Sequence, residues 1–305
     1  MDPRILDRLR CPVCAEPLAE TTAGTARALR CPRRHSFDIA RQGYVNLLAG
    51  RAPHSGDSAE MVAARADFLA AGHYDTVAAA LAATAAEVAD GVRAAGSRRI
   101  DMPPGRAEIG AAETAYPLVV DAGAGTGWYL AAVLAALPDA VGLALDVAKP
   151  ALRRAARAHP RAAAALADTW QRLPLADRSA ALLLNVFAPR NGPEFHRVLD
   201  PAGALLVVTP AADHLAELVD TLDLLRVDPA KADRVAGSLG THFTEESATE
   251  HRARLALRRA EVATLVGMGP SAWHTDPARL AERIGALPEP VPVTLAVRLG
   301  VHRPR

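Results

Sequence analysis

Cysteine is scarce in this sequence of 305 residues and is confined to one short segment. The chain has three cysteines, all between residues 11 and 31. The rest of the chain therefore holds neither a disulfide nor a thiol nucleophile. Whatever chemistry the cysteines perform is local to the N-terminal segment.

Aromatic residues and long apolar runs are also scarce. Aromatics make up 4% of the residues and hydrophobic residues 50%, which is typical of a soluble protein with a core of small side chains. The beginning, MDPRILDRLRCP, lacks an apolar signal region, and the run Ala180–Ala188 is short and interrupted by Asn185. We therefore expect a cytoplasmic protein with no membrane partner.

Positive and negative charges nearly balance over the whole chain, but positive charge is in excess in the first 50 residues. The formal net charge is +1, whereas residues 1–50 hold eight Arg against five Asp and Glu, a net charge of +3, which leaves −2 for the remainder. A basic module on a nearly neutral body suits a nucleic-acid contact. Scattered solubilising arginines would give the same count.

The pattern along the chain predicts three zones: a small module at 1–50, a helical bridge with a mobile loop at 51–115, and an α/β domain at 116–305. Within the bridge, residues 61–90 are predicted to be Ala-rich helix with an interruption near Gly72. Residues 91–115 lack apolar periodicity, so we expect a mobile surface loop without catalytic residues.

From residue 117 onward, short apolar runs alternate with helical stretches. Runs at 118–121 and 140–146 flank a predicted helix at 128–136, and further runs lie at 180–187 and 204–209. This alternation predicts an α/β fold with an open, mostly parallel, doubly wound sheet. The tail at 292–302 is predicted to add a late strand at the sheet edge.

Four metal-ligating residues form two short-range pairs. Cys11 and Cys14 form a C-x2-C pair, and after sixteen intervening residues Cys31 and His35 form a C-x3-H pair. Together they supply the four ligands of a tetrahedral structural zinc ion, which leaves no coordination position for catalysis. Buried thiols without a metal are the alternative. In so small a segment, zinc would supply folding free energy that the apolar core cannot.

Several arginines lie near these ligands. They are Arg27, Arg30, Arg33, Arg34 and Arg41. On a compact module they would offer phosphate contacts, and a solvated charged face is equally consistent with the pattern.

A glycine-rich turn joins the first predicted strand to the next helix. Its residues are Asp121, Ala122, Gly123, Ala124, Gly125, Thr126 and Gly127. Its glycines let the backbone approach a ligand closely. A dinucleotide fingerprint would need glycine where Trp128 stands. The G-x-G-x-G form is similar instead to the S-adenosylmethionine turn of class I methyltransferases, in which Asp121 would orient the methionine end.

Two more aspartates follow predicted strands. Asp146 ends the second strand, where a carboxylate can accept both ribose hydroxyls. Asp168 follows the third, at the place of the acidic residue that meets the adenine amino group in this superfamily. Each aspartate is also consistent with a helix cap or a turn. Methyl transfer from a sulfonium is an in-line displacement without a covalent nucleophile, in keeping with a body that lacks cysteine.

The chain resembles the RlmA family of 23S rRNA guanine-N1 methyltransferases over residues 11–274. The matching segments are CPVC, CPRRHSFDIARQGYVNLL, GDSAEM, FLAAGHY, DAGAGTG, LALDVAK, TPAADHL and MGPSAWH. The resemblance implies a class I (Rossmann-like) methyltransferase sheet with a zinc-binding N-terminal module. It places zinc on Cys11, Cys14, Cys31 and His35, and S-adenosylmethionine on Tyr74, Gly125, Thr126 and His214. Without the resemblance, Tyr74 and His214 would be a helix-packing aromatic and a surface helix residue.

The resemblance also implies the substrate, which is N1 of a guanine in a 23S rRNA hairpin lining the peptide tunnel. The composition resembles the macrolide-resistance branch of antibiotic-producing actinobacteria, which protects against tylosin-like or mycinamicin-like drugs. A homodimer whose zinc modules flank an RNA cleft is expected on the same ground. Two features depart from the family pattern: residues 91–115 are longer than usual, and Asn185 replaces a basic residue.

N1 of guanine lies on the Watson–Crick edge and carries a proton, so the target must be unpaired and must lose that proton. Phe187 and Trp273 are candidates for stacking on the base, and packing within the protein is equally consistent for both. No catalytic residue is assigned.

Two other functions compete with this interpretation. One is an RNA-binding protein that has lost activity, although the intact glycines and Asp146 argue against it. The other is a small-molecule methyltransferase of an antibiotic pathway. It would explain the cofactor turn but not the basic zinc module.

Overall fold

The computed structural model describes residues 1–23, 26–50, 56–100, 117–224, 237–269 and 276–305, with the side chains of 92–100 left out. Within these ranges the chain forms an eight-stranded mixed sheet and a three-stranded antiparallel sheet. No helix of the described ranges is both long and apolar enough to cross a membrane.

The elements are numbered in chain order. The strands are β1 (Ala19–Ala23), β2 (Ala26–Arg30), β3 (Ser36–Asp38), β4 (Tyr44–Asn46), β5 (Leu118–Ala122), β6 (Val141–Asp146), β7 (Ala162–Leu166), β8 (Ala180–Val186), β9 (Leu199–Pro210), β10 (Phe243–Leu257) and β11 (Val291–Pro304). The helices are α1 (Pro3–Leu6), α2 (Ala59–Ala70), α3 (Asp75–Ile100), α4 (Trp128–Ala136), α5 (Lys149–Ala155), α6 (Gly192–Val198), α7 (Ala216–Leu222), α8 (Arg259–Gly267) and α9 (Pro277–Gly285).

The large sheet has the strand order β10-β11-β9-β8-β5-β6-β7-β4. The six strands from β9 to β4 run parallel, and β11 is antiparallel to both of its neighbours. Helices cover both faces, so the central parallel strands are mostly apolar, and every residue of β5 is buried. The sequence prediction of an α/β, mostly parallel, doubly wound sheet is confirmed.

Different elements cover the two faces. One face packs against α2, α3, α4, α7 and α8, whereas the other packs against α6 and the N-terminal module. In α3, Val77, Leu81, Ala85 and Val88 follow helical spacing and are all buried, which explains why this helix lies along the sheet.

In the helical bridge, α2 ends and α3 begins near Gly72, as predicted. The Ser58 hydroxyl caps α2 by accepting the Met61 N–H at 3.2 Å. Gly72 follows the last turn of α2 with φ of +83°, a conformation that favours glycine, and so stops the helix. Tyr74 lies in this short connection, directly before α3.

Two sequence predictions need correction. The tail strand β11 does not lie at the edge but between β10 and β9, because β10 supplies the outer strand of an antiparallel pair. Residues 91–100 of the predicted loop belong to α3, which runs to Ile100. Alanine and arginine favour helix there in spite of the weak apolar periodicity. Residues 101–115 of that prediction lie outside the described residues.

The N-terminal module is joined to the large sheet. Strands β1, β2 and β3 form their own sheet, but β4 pairs in parallel with β7, from Tyr44 opposite Ala164 to Asn46 opposite Leu166. Ile5 and Leu29 are fully buried in the same core as Leu143 of β6. The boundary at residue 50 stays a prediction, and residues 44–46 extend the body's sheet.

Candidate cofactor site and zinc cluster

The four predicted metal ligands lie together. Their ligand atoms are all within 4.8 Å of one another. Cys14 Sγ is 3.7 Å from Cys31 Sγ, and His35 Nδ1 is 3.5 Å from Cys11 Sγ and 3.4 Å from Cys31 Sγ. Two sulfurs at the usual bond length from one tetrahedral zinc are separated by about 3.8 Å, so the cluster fits a single structural zinc ion.

The arginines of the module differ in their partners. Arg27 donates to Glu20 at 2.5 Å and is therefore already paired. Four others form no ion pair with a described residue and are exposed: Arg30, Arg33, Arg34 and Arg41. These four charges are available to an external anion.

The glycine turn is shaped by left-handed backbone. Gly123, Gly125 and Gly127 have φ of +84°, +54° and +79°. A Cβ on Gly123 would be 2.4 Å from the Cβ of Ala188, so the loop after β8 packs directly on the turn. Side chains are excluded here by both conformation and space.

Asp146, at the carboxyl end of β6, holds the turn. Its Oδ2 accepts the Gly125 N–H and its Oδ1 accepts the Ala148 N–H, each at 2.8 Å. Burial raises the pKa of Asp146, and these two hydrogen bonds lower it in part. The carboxylate keeps lone pairs for a ribose, since each oxygen accepts one bond here.

Asp121, at the carboxyl end of β5, is buried without a protein partner. It is 1% exposed, and neither carboxylate oxygen accepts a hydrogen bond from any described residue. Burial, followed by repulsion from Asp146, raises the pKa of Asp121 to about 8. A buried acceptor pair beside a glycine turn fits the cationic methionine end of S-adenosylmethionine, which would supply the missing donors and charge.

Tyr74 and His214, which are 140 residues apart in sequence, meet above the site. The Tyr74 hydroxyl is 3.3 Å from His214 Nε2, and His214 Nδ1 accepts the Ala296 N–H at 3.2 Å. Because Nδ1 accepts, a neutral His214 carries its proton on Nε2 and donates it to Tyr74. Both residues are buried and contact each other. His214 is therefore not a surface helix residue, and Tyr74 does more than pack a helix.

Phe187 extends this pair into an aromatic group. Its ring centroid lies 6.2 Å from that of Tyr74 and 6.1 Å from that of His214. Phe187 has a left-handed φ of +52° and is 40% exposed. A strained, exposed aromatic at the end of a parallel strand is typical of a ligand contact. Trp273, the other stacking candidate, lies outside the described residues.

The structure places the remaining predicted contacts near this edge of the sheet. Thr126 is in the glycine turn and is 9% exposed, and Asp168 follows β7 and is 3% exposed. Asp168 Oδ1 accepts the Trp170 N–H at 2.9 Å, so it also forms a turn.

Sequence reasoning missed the contacts that two residues make at the site. Arg65 of α2 bonds Asp57 and donates to the Met268 carbonyl at 2.9 Å, and its Nη1 would lie 3.5 Å from a Cβ on Gly125. Asn185 is fully buried and donates to the carbonyls of Ala122 and Pro189 at 3.1 and 2.8 Å. It thereby ties β5 to the loop of Phe187. Local sequence contains no signal for either contact.

Known proteins are similar to this chain along its whole length. The sequence family described as "RlmA, N-terminal" matches residues 9–55. A protein from Micromonospora griseorubida, named "Putative 23S rRNA (guanine-N(1)-)-methyltransferase", is 67% identical over the full length of both chains. A Streptomyces fradiae protein, named "23S rRNA (guanine(748)-N(1))-methyltransferase", is 49% identical over 100% of this chain and 99% of its own.

A third relative, from Bacillus subtilis and named "Putative 23S rRNA (guanine-N(1)-)-methyltransferase YxjB", is 28% identical over 89% of each chain. The first two relatives are similar enough, over enough of the sequence, to identify the family. The zinc cluster and the glycine turn, described above from geometry, lie within the matched lengths. The chain belongs to the family of 23S rRNA (guanine-N1)-methyltransferases.

Proposed function

We propose that this protein transfers the methyl group of S-adenosylmethionine to N1 of a guanine in a 23S rRNA hairpin lining the peptide exit tunnel. The observation that carries the proposal is the full-length similarity to relatives named for this reaction. Asp121 beside the glycine turn supports the choice of cofactor independently, since a buried carboxyl with no hydrogen-bond partner among the described residues suits a cationic ligand. Such an enzyme works on ribosomes and is therefore cytoplasmic.

The cofactor contacts are assigned to one edge of the sheet. The proposed residues are Tyr74, Asp121, Gly123, Gly125, Thr126, Gly127, Asp146, Asp168 and His214. When bound, S-adenosylmethionine supplies an electrophilic methyl group on a sulfonium. The protein's own task is to position donor and acceptor and to exclude water from the turn beneath Phe187.

The target base is assigned to the exposed face of Phe187. This ring lies between the cofactor side, through Tyr74 and His214, and the solvent. A splayed-out guanine stacked there would bring its Watson–Crick edge toward the cofactor. His214 is not poised to take the N1 proton, because its Nδ1 accepts a backbone N–H and its Nε2 proton faces Tyr74.

The zinc module is assigned to RNA docking. Its exposed, unpaired arginines on a metal-stabilised fold suit phosphate contacts that position a hairpin without reading its sequence. Because the S. fradiae relative is named for guanine 748, we propose the corresponding nucleotide as the target. Resistance to tylosin-like or mycinamicin-like macrolides would follow from methylation beside their binding site.

We also propose a homodimer formed through β10. No described strand pairs with the outer edge of β10. Its first half carries Glu245, Glu246 and Glu250, and its second half carries His251, Arg252 and Arg254. Antiparallel pairing of two copies would bring the acidic half of one β10 beside the basic half of the other, where Glu246, Arg252 and Arg254 also form ion pairs within their own chain. Light scattering should give a dimer that Arg252→Glu with Arg254→Glu dissociates; a monomeric wild-type protein contradicts the proposal.

Primer extension on 23S rRNA tests the function. Reverse transcriptase stops at N1-methylguanine, so cells carrying the gene should show a stop at the position matching guanine 748 that cells without the gene lack. Asp146→Ala, which should weaken cofactor binding, is expected to give a weaker stop than the wild type. A stop pattern that does not depend on the gene would overturn the assignment.

Cofactor binding without any RNA methylation would favour the small-molecule enzyme, and absence of cofactor binding would favour the inactive RNA-binding protein.

A further inference from the structure

Trp170 is an exposed aromatic side chain, whereas most aromatics of the described ranges are buried. It is 51% exposed, and Phe187 is 40% exposed. In the part of the chain that the structure describes, these are the two exposed aromatic residues. An indole with half of its surface in water keeps apolar ring area that a planar ligand can cover.

Both exposed aromatics lie at the carboxyl ends of parallel strands. Trp170 is four residues after β7 and Phe187 is one residue after β8. This edge of an open α/β sheet is where ligands bind. The remaining aromatics of the described ranges lie in the core or at its margin, so the exposure of these two is specific to the rim of the site.

The loop of Trp170 is held in place rather than loosely attached. Its N–H donates to the buried Asp168 carboxylate at 2.9 Å. Asn191 Nδ2 donates to the Thr169 carbonyl at 3.0 Å, and Asn191 lies four residues after Phe187. One amide therefore fixes the loop of Trp170 against the segment that leaves the loop of Phe187. The indole is presented on an ordered support.

We propose that Trp170 is a nucleobase-stacking residue of this site, an inference that rests on the proposed function. Every base has an apolar face that stacks on an aromatic ring, and such stacking does not depend on base identity. Two sources supply this chemistry: the adenine of the cofactor, for which Asp168 is the assigned partner, and an RNA base next to the target guanine. Trp170 contacts one of these bases and takes no part in the methyl transfer itself.

Two binding measurements distinguish the sources without requiring activity. Calorimetry with S-adenosylmethionine reports the adenine, and fluorescence anisotropy with a labelled hairpin transcript of 23S rRNA reports the RNA base. Trp170→Ala should weaken one of the two affinities about five- to a hundredfold, and Trp170→Phe should keep most of it. Trp128→Phe, a partly buried indole of α4, is the matched control and should change neither affinity.

The pattern of results decides the proposal. A loss confined to cofactor affinity assigns the adenine, and a loss confined to RNA affinity assigns the RNA base. Less than a twofold change in both, or equal losses in Trp170→Ala and Trp170→Phe with a lowered melting temperature, overturns the proposal. If wild-type protein binds cofactor but leaves 23S rRNA unmethylated, the proposed function fails while the cofactor measurement still tests Trp170.

Discussion

Asp146 Oδ2 accepts the backbone N–H of Gly125 at 2.8 Å, so the carboxylate at the end of one strand shapes the glycine turn that follows its neighbour. The second oxygen fixes Ala148 in the same way. Asp146 thus has a structural task before any ribose binds. The acidic residue at the end of β6 therefore has two roles: it shapes the glycine turn, and it is placed to bind a cofactor.

Replacing Asp146 should therefore weaken cofactor binding more than it weakens the fold. Asp146→Ala removes two charge-assisted hydrogen bonds and the ribose acceptors, and we expect the Kd for S-adenosylmethionine to rise about ten- to a hundredfold. Isothermal calorimetry measures the effect. Asp200→Ala is the control, because Asp200 also accepts a backbone N–H, from Ala202 at 2.8 Å, but outside the site. Equal effects of the two variants on Kd would contradict the assignment.

Gly123→Ala should destabilise the protein by on the order of 2–4 kcal/mol, because the new methyl meets Ala188 and the residue keeps a left-handed φ. Gly50→Ala isolates the conformational part, since Gly50 has φ of +106° and nothing within 4 Å of a Cβ. Its cost should be about 1–2 kcal/mol. Denaturant unfolding measures both. Adding Ala188→Gly to Gly123→Ala should recover the steric part; no recovery would show that this contact is not the cause.

Binding of S-adenosylmethionine should release a proton from Asp121. Its pKa of about 8 in the ligand-free protein keeps roughly nine-tenths of the carboxyls protonated at pH 7, and a bound cation favours the carboxylate. Affinity should rise with pH up to about 8. Calorimetry in buffers of different ionisation enthalpy counts the protons. Asp121→Asn should abolish its share of the release, and an unchanged count would refute the assignment.

The same raised pKa has a consequence for stability. A carboxyl whose pKa is higher in the folded than in the unfolded state takes up a proton on folding between about pH 4 and 8. The contribution of Asp121 to stability is therefore fully present below pH 4 and is lost as pH rises through about 8. Asp121→Asn should be less sensitive to pH than the wild type in this window.

Zinc removal should unfold the N-terminal module. His35→Ala should reduce bound zinc from about one ion per chain to near zero, whereas His35→Cys keeps four ligands and should keep the ion. Metal analysis and circular dichroism report the result. RNA affinity should fall more than cofactor affinity, since the cofactor site is built on β5 and β6. Full RNA binding by zinc-free protein would contradict the role of the module.

Removing arginines from the module should weaken RNA binding in a salt-dependent way. Arg30→Ala with Arg33→Ala should lower the slope of log affinity against log salt concentration by about 1–2, with the cofactor Kd unchanged. Arg279→Ala, an exposed arginine of α9, is the matched control. A slope equal to that of the wild type would show that these two side chains do not contact phosphate.

Much of the site was predictable because its signals are local. The zinc ligands and the glycine turn are sets of residues close together in sequence, and each spacing by itself limits the geometry. The pairing of Tyr74 with His214 was not predictable from periodicity, because it joins residues 140 apart. The resemblance to a family implied a cofactor contact for each of the two residues but no contact between them. Arg65 gave no signal, and Asn185 stood out only as a polar residue in an apolar run, since the partners of both are mostly backbone carbonyls set by the fold.

The sequence by itself determined the alternation of strands and helices between 118 and 209, the set of four clustered metal-ligating residues and the position of the glycine turn, because apolar runs and short spacings encode them directly. Only the tertiary structure decided that β4 of the module joins the large sheet and that β11 lies inside it, since strand neighbours are chosen by long-range pairing. Tertiary structure also buried Asp121 without a partner and left Trp170 exposed on the rim. Burial and exposure of this kind depend on what packs around a residue, which no local pattern specifies.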